Sequence, residues 1–493
     1  MKNMTKGSPL WLILSFTLPL LLGNLLQQTY SLADTAIVAR FLGPDALAAV
    51  GATASVQFLV LGFCTGSCAG MCIPLARDFG SGSMSNVRRG IYNGIWLVGI
   101  MAAFMTVLCA ILTPQILAIL NTPANIYDDT KIYIFIIFLG MPFTLLYNYT
   151  ASILRSIGDS RTPFIFLAVS AVLNIALDVF CIVALNWGCA GAAIATIVSQ
   201  AVSGIACTIY IIRNYPMLHF ERSETKIDPA VMKELALMGF PMGLQFSITA
   251  IGSMVMQSAT NALGSTYVSA FTAASRIKQF AMCPFDAIGT SVSTFASQND
   301  GANKGRRTHE GLTIGLTLGI SYSIVIGAVL IFFGRELSLL FVSADKTEIL
   351  SASTQMLVAS GFFYWLLAVL NVCRPTLQSL GFTGRAMNAG VLEMIARCVV
   401  CLLLVPEFGF MAICFADQAA WLMAAAFVFI ACLKEVKKGE HRYEDSIAPL
   451  YAQIGVSIPK RRSGLPKPSI KALLPMLEIH AKTSGAFVSF VKA

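Results

Sequence analysis

The decapeptide LRSIGDSRTP at residues 154–163 returns 223 residues later as LQSLGFTGRA at residues 377–386. Pro19 in TLPLLLGN pairs with Pro241 in GFPMGLQF, and FLGPDALAAV from Phe41 pairs with ALGSTYVSAF from Ala262, at nearly the same shift. The chain therefore reads as one unit written twice. What kind of unit follows from composition. Of 493 residues, 56% are hydrophobic and 12% charged; a soluble chain carries roughly 25% charged residues. Apolar runs long enough to cross a bilayer, about 20 residues at 1.5 Å each, fall at 10–40, 45–77, 88–113, 127–154, 163–186 and 189–213. They recur at 231–262, 266–298, 309–333, 350–380, 387–406 and 410–433. The expectation is an all-α polytopic membrane protein with twelve transmembrane helices in two parallel six-helix repeats.

Charge placement orients those helices. One side of the membrane collects Lys2, Lys6, Arg77, Arg88, Arg89, Arg155, Arg161, Arg213, Arg222, Lys226 and Lys233. In the second copy the same side takes Lys304, Arg306, Arg307, Arg385, Lys434, Lys437 and Lys438. The opposite side has Arg40, Lys131, Arg335 and Lys346 near its ends. The positive-inside rule then places both termini in the cytoplasm. Because both copies start on that side, they are related by an axis along the membrane normal, with a substrate path between them. The net charge of +9 is spent on this orientation, so no nucleic-acid partner is expected. The 13 cysteines sit mostly in apolar runs and do not form a disulfide framework. The early apolar run continues past Asp34 with no small-residue cleavage site, so it reads as a retained first span.

Acids inside spans are the candidates for chemistry. A carboxylate at the centre of a span costs about 2.5–3.5 kcal/mol on insertion scales and marks function by default. Asp34 lies six residues before Arg40, Asp178 eight before Asn186, and Thr196 eight after Gly188, so all three fall roughly 9–12 Å below the outer surface. Asn174 is one turn deeper on the face of Asp178. Two carboxylates, an amide and a hydroxyl at compatible depth can hold an alkali cation through oxygen, or share a proton because close carboxylates resist double ionisation. The plainer alternative is that each acid satisfies a neighbouring backbone or hydroxyl group. A threonine such as Thr196 commonly bonds its own i−4 carbonyl.

The pattern DTAIVARFLG from Asp34, the LRSIGDSRTP turn, LNIALDVF from Leu173 and GCAGAAIATIVSQ from Gly188 resemble the multidrug and toxic compound extrusion (MATE) family. The likeness covers both repeats, roughly residues 8–434, and is closest to MepA-type bacterial exporters. It implies a V-shaped two-lobe transporter that expels drug-like organic cations in exchange for inward H+ or Na+. It also implies a cation site at Asp34, Asn174, Asp178 and Thr196, in the branch with coupling in the N-terminal lobe. Pro19 matches the proline at which that branch's first helix bends. The acids that hold Na+ in another branch, on the seventh and tenth helices, are missing here.

The domain expectation is an N-terminal lobe at 1–213, a cytoplasmic linker at 214–230, a C-terminal lobe at 231–434 and a basic tail at 435–493. Gln27, Tyr30, Asp286, Trp365 and Asp417 are the candidates for the substrate cavity wall. Glu393 and Arg397, four residues apart, read as a neutralising pair. Cys64, Cys68 and Cys72 read as small residues for helix packing in preference to a soft-metal stripe. No cofactor beyond the coupling ion is expected, and a monomer in a bacterial inner membrane is. A flippase for lipid-linked oligosaccharides is the nearest alternative. An intramembrane aspartyl protease is disfavoured, because Leu-Ala-Asp and Leu-Asp-Val lack the YD and GxGD contexts.

Overall fold

In hydrocarbon each backbone N–H and C=O must bond within its own segment, so apolar runs of this length become helices. The computed structural model describes residues 2–119 and 122–453. The first copy contains α1 (Pro9–Leu42), α2 (Pro44–Ser81), α3 (Met84–Ile119), α4 (Tyr127–Leu139), α5 (Met141–Ser156), α6 (Arg161–Val179) and α7 (Gly188–Asn214). The second contains α8 (Pro229–Ala262), α9 (Ser265–Gly301), α10 (Gly305–Ser338), α11 (Thr347–Ser379), α12 (Thr383–Val399), the single turn α13 (Val405–Phe408) and α14 (Phe410–Gln453). Ten of these are long and apolar enough to cross a membrane, and α4 with α5, bent by 45° at Gly140, makes an eleventh. The twelfth rod is α9. It has the length, 37 residues, but interior Arg276, Lys278 and Asp286 lower its hydropathy. Among the described residues, those up to 437 form one compact unit, and those from 438 on belong to a second.

The repeat is visible in backbone geometry. Gly158 and Gly381, at the same place in the two decapeptides, have φ of 82° and 91°, a left-handed conformation that glycine adopts without steric cost. Five-residue π-helical turns close α6 at Phe180–Ala184 and α12 at Val400–Leu404. Where the copies differ, the cause is local. Pro142 starts α5 just after Gly140, and the span breaks there. The corresponding stretch GFFYW keeps α11 unbroken.

The halves meet along small residues. On α2, Gly66 and Gly70 lie against Gly243 and Gly239 of α8, so closely that a Cβ on Gly70 would strike the Met238 carbonyl. This spacing of four lets two backbones approach. Cys64, Cys68 and Cys72 are buried on the same α2 among Leu75, Tyr149 and Ile153, as packing residues.

The end of the bundle that carries residues 2–8, here the base, is tied shut. The Met4 N–H donates to Gln298 Oε1 at 2.9 Å, the Asn299 Nδ2 donates to the Met4 carbonyl at 3.1 Å, and Gln298 Nε2 donates to the Ser156 carbonyl at 2.8 Å. Lys304 Nζ reaches the Thr5 carbonyl at 2.7 Å, and Arg77 pairs with Asp300 at 3.0 Å. The link at 214–230 is also fastened: Arg88 holds buried Glu224 at 2.6 Å, and Arg89 holds Asp228 at 2.8 Å. The guanidinium of Arg88 pulls the Glu224 carboxyl down to about 2. At the other end of the second copy, helix α14 continues past residue 434 to Gln453, since KEVKKGEHRYEDS is rich in helix formers. Most of the tail expected at 435–493, residues 454–493, lies outside the described residues.

Candidate functional site: an acid pair at the edge of a cavity

A cavity of about 780 Å³ runs beside α1, from the level of Asp34 to Arg155 and Ser160 near the base. Its wall comes from α1, α2, α4, α5, α6 and α7, with α9 contributing Arg276, Ala287 and Thr290. Pro19 lines it and interrupts α1, since proline has no N–H for the i−4 carbonyl. Gln27, Tyr30, Asn174 and Thr196 also lie on the wall. Tyr30 and Tyr133 stand close to Asp34.

Asp34 on α1 and Asp178 on α6 face each other within hydrogen-bonding reach. Asp178 is fully buried. One oxygen of Asp34 and both of Asp178 are buried without a hydrogen-bond partner, and among the described residues neither acid has an ion-pair partner. Two carboxylates at contact distance repel, and buried acceptors without donors are costly. A proton shared between them, or a small cation, would relieve that repulsion. One turn deeper, Asn174 Nδ2 points at Thr196 Oγ1 at 3.5 Å, while Thr196 Oγ1 donates to the Ala192 carbonyl at 3.0 Å. Thr196 thus makes the ordinary i−4 bond and accepts from Asn174 on the same oxygen. Oxygen from two carboxyls, an amide and a hydroxyl is the donor set that suits a hard cation. Among the described residues no group of three or more His, Cys, Asp or Glu is arranged to hold a metal ion.

The acids of the second copy lie elsewhere. Asp417 on α14 is gripped by Lys278 of α9 at 2.5 Å and by Arg397 of α12 at 3.0 Å. Arg397 also reaches Glu393 at 3.6 Å, and Glu393 holds Arg374 of α11 at 2.6 Å. Asn371 extends the chain: its Nδ2 donates to Asp286 at 3.2 Å and its Oδ1 accepts from Arg374 at 3.4 Å. Three acids and three cations form one internally balanced network, buried at Lys278, Glu393 and Arg397 and exposed at its Asp286 end. Asp286 and Asp417 belong to it and are not among the residues lining the cavity. The Glu393–Arg397 pair is one link of it. Trp365 is 49% exposed and does not line this cavity; its neighbour Tyr364 is the buried aromatic, against Phe285 and Trp421.

Sequence reasoning passed over Lys278 and Arg374, the counter-ions, and Arg155 and Arg276, the two cations on the cavity wall. The signal was available in FTAASRIKQF, two basic residues inside a span.

Comparison with known proteins adds the following. The family described as MatE matches residues 19–180 and 241–403, once per copy. A probable multidrug resistance protein, YoeA of Bacillus subtilis, is 28% identical over 377 residues, which is 74% of this chain and 80% of that one. An FAD transporter of Shewanella oneidensis is 27% identical over 67% of this chain and 74% of its own length. The multidrug export protein MepA of Staphylococcus aureus is 23% identical over 77% and 84%. Among solved structures, an outward-facing multidrug resistance MATE family transporter superposes with a TM-score of 0.83 at 18% identity, covering 89% of this chain and 99% of that one. A mutant of the Vibrio cholerae MATE transporter VcmN gives 0.81 at 21% identity, covering 89% and 99%. At such identities the structures speak for the fold.

Proposed function

This chain belongs to the MatE family, and from that premise we propose that it is a secondary active antiporter exporting drug-like organic molecules, mostly cations, in exchange for H+ or Na+. The observation that carries the proposal is the pair Asp34–Asp178, with three buried oxygens lacking a partner, at the edge of the cavity. The basic loops support a bacterial inner-membrane orientation with both termini, and therefore the base, on the cytoplasmic side. On that orientation the fastened base is the closed inner gate, and the cavity belongs to an outward-facing state.

The transport step uses this chain's own parts. A proton or Na+ entering from outside settles between Asp34 and Asp178 and removes their mutual repulsion, with Asn174 and Thr196 offering further oxygen. Asp34 sits four turns above Pro19 on α1, so drawing Asp34 toward α6 pulls the upper part of α1 about the one point where its hydrogen-bond ladder is already broken. Pro19, Gln27 and Tyr30 all line the cavity, so the same movement reshapes its wall and lowers affinity for bound cargo. Release outward is followed by return to the inward-facing state.

Purified protein in proteoliposomes, with an imposed H+ or Na+ gradient and ethidium as cargo, tests this. Wild type should respond to one of the two gradients, which names the ion. Asp34→Asn and Asp178→Asn should lose the gradient's effect. Wild-type rates in both variants would remove the acid pair from the mechanism.

A further inference from the structure

We infer that the cavity also takes organic molecules bearing a carboxylate or phosphate group, with Arg276 and Arg155 as the contacts for that oxyanion. This rests on the cavity being the cargo site, as proposed above. Lys278, Arg374, Arg397, Arg155 and Arg276 stand at buried or half-buried positions on α5, α9, α11 and α12. Lys278, Arg374 and Arg397 each hold a carboxylate. Arg155 and Arg276 have no ion-pair partner among the described residues, and these two are the ones on the cavity wall. The Nε of Arg155 is buried and bonded to nothing.

The wall's charge balance points the same way. Asp34 is the one acid lining the cavity, and it is turned toward Asp178, where the coupling cation is proposed to sit. The two guanidinium groups are left without a counter-charge of their own. A planar guanidinium matches the two oxygens of a carboxylate or phosphate with paired N–H donors. It retains its charge throughout the accessible pH range, so only an anion from outside the protein can balance it. The cavity volume suits a multi-ring molecule.

The two arginines act in series. The bond from Gln298 to the Ser156 carbonyl sets residue 298 of α9 level with the inner end of α5, next to Arg155. Arg276 lies 22 residues further up α9, about 33 Å at the helical rise. One small anion cannot touch both. Arg155 is the contact at the inner end, met first by cargo arriving from the base, and Arg276 is the contact farther out. Each is carried by a different half of the molecule, α5 and α9, so a transport cycle that moves the halves passes the anion from one to the other.

The test is the ratio of carboxyfluorescein to ethidium transport in the same proteoliposome preparations, driven by whichever gradient wild type uses. A ratio cancels differences in the folded fraction. Wild type should move both dyes. The ratio should fall at least about tenfold in Arg276→Gln and in Arg155→Gln, in line with loss of a charge-assisted contact. Arg276→Lys and Arg155→Lys keep the charge and lose the paired fork, so they should fall by about two- to threefold; they also stand in should a glutamine variant not fold. Ethidium transport by wild type with no carboxyfluorescein transport would overturn this inference and leave the exporter proposal standing. An unchanged ratio across the variants would do the same. Failure of wild type to move either dye would overturn both.

Discussion

In the first copy Asp34 and Asp178 face each other with three buried oxygens unbonded and, among the described residues, no basic side chain paired with either; in the second, Asp417, Glu393 and Asp286 are tied through Lys278, Arg397, Arg374 and Asn371. Both sets are acids on membrane-spanning helices of one repeat pattern, and Asp417 stands 221 residues after Thr196, close to the repeat shift. What separates them is the source of the balancing charge. In the second copy it is covalently part of the protein, so the acids hold α9, α11, α12 and α14 together and have no need of a mobile ion. In the first copy the described residues bring no basic side chain to Asp34 or Asp178. One half is arranged as a brace, and the other is the one proposed above to bind the coupling ion.

The contrast can be broken most forcefully from the brace. Asp417→Asn leaves Lys278 and Arg397 buried without their carboxylate and should destabilise the protein by about 3–5 kcal/mol, read as the midpoint of unfolding in detergent. A shift near zero would mean that the network is not structural. In the first copy the opposite split is expected. Asp178→Asn should change unfolding by less than about 1 kcal/mol, since it removes repulsion between acids and breaks no ion pair, while gradient-driven ethidium efflux falls at least about tenfold. The helix-interrupting prolines sharpen the comparison further. Pro19→Ala restores a hydrogen-bond donor in the cavity-lining helix and should slow transport by about three- to tenfold without unfolding the protein. Pro241→Ala, its repeat partner on α8, should alter transport by less than about twofold. Equal effects would show that the halves flex alike. The smallest effect lies outside both sites. Glu224 has its carboxyl depressed to about 2 by Arg88, from an ordinary 4.5. Its stabilising pair is therefore complete above pH 4.5 and is lost as the pH falls toward 2. Glu224→Gln should lower the melting temperature at pH 7 by a few degrees, with the gap to wild type narrowing below pH 4.5.

Much of this molecule is legible in the chain itself. Twelve apolar runs, a 223-residue repeat and one-sided basic loops specify twelve rods in two copies, because a bilayer leaves apolar backbone few choices but the helix. Helical rise alone puts Asp34 and Asp178 at one depth. What rise cannot supply is azimuth and partnership. The repeat relation suggested Asp417 as a cavity residue, yet Lys278 and Arg397 converge on it from two other helices. Trp365 sits in an aromatic run where Tyr364 is fully buried and Trp365 itself is half exposed and off the cavity wall. Arg155 and Arg276 are ordinary basic residues until helix packing leaves them on the cavity wall with no acid in reach. Depth along a helix is a property of sequence spacing, so the sequence by itself determined which polar groups share a level. Which of them meet depends on how helices distant in sequence are rotated and packed, and only the tertiary structure decided which acids were paired with basic side chains and which faced another acid.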